Sequence, residues 1–332
     1  MEENILRAHL RAHCQPDDLE EEVGRALAWS EQAGHELIPF AADNYPYLLR
    51  QIPRPPPLLY ATGNVGLLGS ACCAIVGSRS ASQYGERHAR WFAHDLGQQG
   101  FTIVSGLARG IDGSAHSGAL QAKGQTIAVL GAGIDRIYPR CHRKIADQIA
   151  SNGLLLSEFP LGAPPRAEHF PQRNRIIAGL SLGTLVIEGG LRSGSLITAG
   201  QALEQGRDVF ALPGPVDNRN SHGCHKLLRE GATLVESPEE LAALLLQHWH
   251  HGSNGKQPSL CASSTSSDLT KAGLSESEKK VLAALTEPGV LLDQLINNTG
   301  LAIATVNACL IRLERKGLVS QEGGRVAKMK NF

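Results

Sequence analysis

The stretch 166–175 reads Arg-Ala-Glu-His-Phe-Pro-Gln-Arg-Asn-Arg, placing Arg166, Arg173 and Arg175 around Phe170 and Asn174. Guanidinium groups beside an aromatic face suit a single-stranded nucleic acid, with phosphate on one side and a splayed base on the other. A loop that plugs the core with Phe170 while its arginines pair with local carboxylates has the same composition. These residues alone leave both readings open. Residues 176–180 read as the start of a helix, with Asn174 near its N-cap.

Four other stretches join glycine to small polar residues or cations: Gly77-Ser78-Arg79, Ser105-Gly106 with Arg109-Gly110, Gly131-Ala132-Gly133, and Glu188-Gly189-Gly190 leading to Arg192-Ser193-Gly194-Ser195. Glycine permits close backbone approach, and the free N–H groups of a helix N-terminus bind phosphate oxygens. Tight turns alone would explain one such stretch. Four of them, with Arg79, Arg109 and Arg192 alongside, favour an anion-binding rim. No G-x-G-x-x-G follows the first strand and no G-x-x-x-x-G-K-[ST] occurs, so no nucleotide cofactor is expected.

Chemistry other than binding has three candidates. Asp112 and His116 stand one helical turn apart and could form an acid–base pair, but Asp112 also suits an early helical position facing the helix dipole. Cys141-His142, His222-Gly223-Cys224-His225 and His248-Trp249-His250-His251 lack the paired spacing of a structural zinc site, so no metal is expected. The enzyme alternative is a Rossmann-like nucleotide phosphoribohydrolase of the lysine decarboxylase-like kind. Those enzymes carry P-G-G-x-G-T-x-x-E; here Glu188-Gly189-Gly190-Leu191-Arg192-Ser193-Gly194-Ser195 lacks the threonine and the second glutamate, and no catalysis is expected.

The elements that must position these residues are short apolar runs at 72–76, 102–104, 126–130, 154–156, 184–187, 208–212 and 233–235. Helical spacing occupies 84–99, 195–205 and 224–229 between them. Strands alternating with helices imply right-handed βαβ units, hence a doubly wound, mostly parallel α/β sheet of extended Rossmann-like form. The glycine turns fall at the carboxyl ends of its strands, where such sheets bind ligands.

Four segments are expected: a short helical piece over 1–51, the Rossmann-like domain over 52–247, a Ser-, Gly- and Asn-rich flexible linker over 248–273, and a helical module over 274–332. In the last, helices are expected over 275–285, 291–296 and 302–316, and Gly323-Gly324 turns a small hairpin, the pattern of a winged helix. Arg312, Arg315 and Lys316 on its third helix could meet phosphates, with Glu314 interrupting them. Among the 332 residues Lys+Arg and Asp+Glu both number 32, which excludes a protein held to nucleic acid by bulk charge. Seven cysteines without a C-x-x-C pair, and no apolar run of membrane length, predict a cytoplasmic protein without a membrane partner.

In order along the chain, Gly77-Ser78-Arg79 with Tyr84-Gly85, Ser105-Gly106-Leu107-Ala108-Arg109-Gly110-Ile111-Asp112 with His116, Phe170-Pro171-Gln172-Arg173-Asn174-Arg175-Ile176-Ile177, Ser193-Gly194-Ser195-Leu196-Ile197-Thr198-Ala199 and Ala211-Leu212-Pro213-Gly214 resemble the DNA-processing protein A family, also called Smf. The likeness runs from about residue 46 to residue 235. It implies a fold that binds single-stranded DNA without catalysis, protects incoming DNA during natural transformation and loads a RecA-type recombinase. By the resemblance Arg79 and Arg175 grip phosphates, Phe170 lines the base side, and Ser193, Gly194 and Ser195 donate to the backbone. The amphipathic stretch 238–246 reads as a core-covering helix and, by the resemblance, lies near a dimer or recombinase surface, so a homodimer is expected. The segment before the proline run at 53–57 departs from the family pattern, with no helix-hairpin-helix glycine signature.

Overall fold

The computed structural model describes residues 2–252 continuously, and beyond them three short strands and isolated positions between 280 and 328. The chain divides into two compact units, Met1–Ala262 and Ser263–Phe332.

The first unit is built on a nine-stranded sheet: β1 (His35–Pro39), β2 (Leu58–Gly63), β3 (Cys72–Val76), β4 (Thr102–Ser105), β5 (Thr126–Val129), β6 (Leu154–Ser157), β7 (Gly183–Val186), β8 (Asp208–Ala211) and β9 (Thr233–Leu234). Its order is β1-β2-β6-β5-β4-β3-β7-β8-β9. Strands β3 to β9 pair in parallel. Each of the seven runs read from sequence forms one of them. The other two, β1 and β2, are antiparallel and close one edge.

Along β3 the side chains alternate strictly between two cores. Cys72, Ala74 and Val76 face one, with Val104, Val129 and Val186. Cys73 and Ile75 face the other, with Ile103 and Phe210. A strand whose two faces are both apolar demands helices on both sides. Helices α7 (His169–Leu180), α8 (Gly194–Glu204) and α9 (His222–Arg229) supply Ile176, Ala199 and Leu227 to the first core. To the second, α4 (Gln83–Gln98), α5 (Ile111–Gln121) and α10 (Pro238–Gly252) supply Phe92, Ala115 and Leu245.

The segment 1–51 is more than a helical appendage. Its helices α1 (Glu2–Arg11) and α2 (Leu19–Ser30) bury Leu6, Leu10 and Val23 with Tyr60, Leu130 and Leu155 of the sheet, and α6 (Arg143–Asn152) adds Ile149 to the same cluster. It also contributes β1, paired residue for residue from His35↔Thr62 to Pro39↔Leu58, and the four-residue helix α3 (Tyr47–Arg50). A boundary drawn at the proline run separates strands that the sheet joins. At the other end α10 runs through Gly252, five residues into the stretch read as linker. The rest of that stretch lies outside the described residues.

The second unit holds an antiparallel three-stranded sheet of β10 (Val290–Leu291), β11 (Val319–Glu322) and β12 (Arg325–Lys328), in the order β10-β12-β11. Strands β11 and β12 pair from Val319↔Lys328 to Glu322↔Arg325, and the glycines expected to turn between them lie outside the described residues. Leu291, read as the start of a helix, stands in β10, which pairs with β12. Val281, Leu285, Val306, Leu310 and Val319 are buried, as a small winged-helix core requires. Arg312, Arg315 and Lys316 lie outside the described residues.

Candidate nucleic-acid interface

Strand β3 has β4 on one side and β7 on the other, so the chain leaves the ends of β3 and β7 in different directions. A crevice opens at that reversal, as the switch-point rule requires. It is a cleft of about 810 Å³ lined by Ser78 and Arg79 after β3, Arg192 to Ser195 after β7, and Phe170, Arg173 and Asn174 from α7.

Its loops are fixed by a dense set of bonds. The Glu188 carboxylate, 1% exposed, accepts from the Ser82 N–H at 2.9 Å and hydroxyl at 2.6 Å, and from Asn218 Nδ2 at 3.1 Å. It thus ties the loop after β3 to the loops after β7 and β8. Ser82 also caps α4, and the Ser78 N–H donates to the Glu188 carbonyl at 2.7 Å. Gly110 has φ +74°, and a Cβ there would collide with the Ser78 carbonyl, so no other residue fits.

The turn 106–108 is held from below. Asp112 accepts from the Gly106 N–H at 3.2 Å, and His116 Nε2 from the Leu107 N–H at 3.3 Å. His116 Nδ1 meets the Thr126 hydroxyl at 2.7 Å, and His142 Nδ1 donates to the Leu107 carbonyl at 2.9 Å. Burial lowers the His116 imidazole to about 3, so it stays neutral. Burial also pushes the Asp112 carboxyl up, while Arg173 pulls it back. Asp112 and His116 therefore both support turn 106–108, and Glu188 supports its loops in the same way. The Cys224 thiol is buried against the Val186 and Ile187 carbonyls, while His222 and His225 contact the Val216 and Gly214 carbonyls. The side chains of 248–251 lie outside the described residues.

The residues read as a loop at 166–175 are largely helix, since α7 begins at His169 after Glu168. Pro171 is tolerated because first-turn N–H groups have no intrahelical acceptor. Asn174 accordingly lies inside the helix, not at its cap. Helical geometry then separates neighbours by about 100°, and the three consecutive polar residues meet three environments. Phe170 and Asn174, four apart, share the cleft. Arg173 is 3% exposed; its guanidinium donates to the carbonyls of Gly106 (2.6 Å) and Val129 and, through Nε, to Asn174 Oδ1 at 3.1 Å. Burial brings it down to about 10, with Asp112 opposing.

Arg175 stands apart from this group. It pairs with Glu158 at 2.6 Å and lines a separate cleft with His9 of α1 and His13 just after it. Its charge is spent there, and the phosphate role implied by resemblance does not fit that placement. Ser105 is also internal: its hydroxyl donates to the Ile75 carbonyl at 2.6 Å. Gly106 and Arg109 open onto a small recess beside the main cleft, together with Arg79, Tyr138 and Phe170.

Arg79, Arg109 and Arg192 are exposed, and among the described residues none of them makes an ion pair. The Arg79 guanidinium lies 4.9 Å from the Phe170 ring centroid, and Tyr138 stands 5.8 Å from that ring. Ser193 caps α8, accepting from the Ser195 N–H, so the N-terminus of α8 faces the cleft. The arrangement offers cations and a helix dipole to an anion, and aromatic faces to a planar group. Tyr138 and Ile197 were missed from sequence. An aromatic in the loop after the Gly131-Ala132-Gly133 turn was the available signal for Tyr138.

The chain matches the family model for DNA recombination-mediator protein A over residues 36–246 and that for the DprA winged helix domain over 265–325. It is 51% identical to protein Smf of Escherichia coli over 230 residues, which are 68% of this chain and 62% of that one. With protein Smf of Synechocystis it shares 43% identity over 315 residues, 85% and 77% of the two chains. DNA processing protein A of Streptococcus pneumoniae superposes with a TM-score of 0.62 at 40% identity, over 72% of this chain and 86% of that one. The Helicobacter pylori protein, whose structure was reported for its single-stranded DNA binding mode, gives a TM-score of 0.59 at 30% identity over 66% and 98%.

Proposed function

Because the chain belongs to the DNA recombination-mediator protein A family, we propose that its switch-point cleft holds single-stranded DNA without chemical conversion. One observation carries the reading: Arg79, Arg109 and Arg192, which make no ion pair among the described residues, stand around the cleft that contains Phe170, beside the α8 N-terminus. Phosphates meet the guanidinium groups, Ser78 and the 193–195 turn, while bases stack on Phe170. Arg173 and Ser105 act indirectly, by fixing the loops that carry the contacts.

The non-enzymatic part of the proposal is supported by the acids. Glu188, the carboxylate beside the Gly189-Gly190 turn, accepts three hydrogen bonds from the loops it staples, and Leu196 stands where the phosphoribohydrolase motif has its glutamate. Asp112 and His116 are committed to turn 106–108. Family membership supports the wider role, in which the protein shields incoming strands during transformation, acts as a cytoplasmic homodimer and hands the strand to a RecA-type recombinase. The H. pylori structure reported for single-stranded DNA supports the ligand class. Among the described residues no helix is long and apolar enough to cross a membrane.

The test is fluorescence anisotropy of labelled single and duplex strands across a salt series with the full-length protein. Single strands bind far more tightly, with log affinity falling against log salt at about −0.7 per neutralised phosphate. Equal affinity for blunt duplex at the same salt would overturn the proposal.

A further inference from the structure

A second basic cleft adjoins the first. It encloses about 630 Å³ and is lined by Asp135, Arg136, Tyr138, Arg140 and Arg143, with Pro165 on its rim. The loop after β5 supplies the first residues, a short turn at Arg140–His142 the next, and the start of α6 the last. Tyr138 and Pro165 also line the main cleft, and Tyr138 borders the small recess that holds Arg79, Arg109 and Phe170. The two clefts are thus consecutive, with Tyr138 on the divide, 49% exposed.

The charges there are uncommitted. Among the described residues Arg136 and Arg140 make no ion pair, and Arg143 meets only Asp147 in an exposed contact of 3.0 Å. Such a contact contributes little and yields readily to a phosphate. Asp135, the one carboxylate in the lining, accepts the Gly162 N–H at 2.8 Å. Among the described residues none of the three guanidinium groups makes a buried hydrogen bond or ion pair, unlike Arg173.

We propose that a single strand leaving the main cleft passes over Tyr138 into this second cleft, where Arg136, Arg140 and Arg143 hold its phosphates. The inference rests on the main cleft being the single-strand site. Tyr138 offers a stacking face at the crossing, 5.8 Å from Phe170, so consecutive bases meet consecutive aromatics. The second cleft then contributes only to strands long enough to fill both.

Length dependence supplies the test. Labelled oligothymidines from about 4 to about 16 nucleotides, the span of common single-strand sites, are titrated against the full-length protein by anisotropy. In the triple variant Arg136→Gln, Arg140→Gln, Arg143→Gln, the shortest strands keep wild-type affinity. The longest bind about tenfold more weakly, with a salt slope lower by about 0.7 per lost contact. Tyr138→Leu weakens the long strands without changing the slope, and Arg→Lys at the three positions restores it. An unchanged melting temperature shows that each variant is folded. Equal affinity of triple variant and wild type at every length overturns the inference, as does a loss that is the same for short and long strands. Arg79→Ala separates the premise from the inference: it weakens every length if the main cleft is the site. If Arg79→Ala changes nothing, the main-cleft reading fails, and with it the path proposed here.

Discussion

Two clefts border helix α7, and both contain an arginine from the same short motif. On one side Arg175 is locked to Glu158, with side-chain exposures of 13% and 6%, beneath the N-terminal helix α1. On the other, Arg79, Arg109 and Arg192 reach solvent without a carboxylate partner among the described residues. Arg173 lies between them, buried and bonded to backbone carbonyls. The contrast shows that an arginine's residue type says little about its use. A guanidinium whose charge is already neutralised holds the protein together; one left unpaired beside an aromatic is available to a ligand.

The sharpest test of that division is Arg173→Ala. It orphans two buried carbonyls and leaves Asp112 without its nearby cation, so the fold should lose about 4 kcal/mol in urea titrations. If stability holds and only DNA affinity drops, Arg173 belongs with the ligand-facing set. Arg175→Ala should cost about 3 kcal/mol, because Glu158 stays buried without its partner. Its single-strand salt slope should match wild type; a flatter slope would erase the distinction between the clefts.

Acid probes both sides at once. His9 lines the α1 cleft and His116 supports turn 106–108, and burial lowers them to about 4 and about 3. Their depressed values mean that the unfolded chain binds more protons below its ordinary histidine pKa. The stability each contributes is complete above about 6.5 and drains as pH falls toward its folded value, at about 1.4 kcal/mol per pH unit per histidine. Burial raises the Asp112 and Glu158 carboxyls, which offsets part of the loss near their own range. Urea midpoints at pH 7, 6 and 5 should therefore fall with acidity. His116→Gln should flatten that fall by about one proton, and a slope that its removal leaves unchanged would mean the ring takes up its proton equally in the folded and unfolded chain.

The smallest effects lie at the ligand-facing residues, which do least for the fold. Phe170→Ala should weaken single-strand binding by about 2 kcal/mol with little change in salt slope. Arg79→Ala should lower the slope by about 0.7 and leave the melting temperature in place. A drop in melting temperature with intact affinity for Phe170→Ala would mark that ring as a core plug.

The parallel strands were legible because β-branched runs such as 72–76 and 184–187 end in glycine turns, a pattern few other folds produce. The edge strands were not. His35-Glu36-Leu37-Ile38-Pro39 carries little alternation, and the 58–63 strand follows directly on a proline run that reads as a boundary. Both are defined by pairing with each other and with β6, which is information held across the chain. At the site, Ser78, Arg79, Phe170, Asn174 and residues 193–195 do converge. Arg175, given a phosphate by the resemblance, pairs instead with Glu158, because α7 sets neighbouring side chains about 100° apart.

The staple formed by Glu188, with Ser82 and Asn218 on its two oxygens, has a kinetic consequence. Loops pinned to one another before any ligand arrives have no ordering step left to perform, so capture of a strand should be a single encounter. The observed association rate should then rise linearly with protein concentration, without a plateau. Ionic strength should slow it through lost steering by the open arginines. Glu188→Gln weakens the pins without touching a ligand-facing group. It should bring in a slower, concentration-independent phase, the signature of loops that must settle after contact.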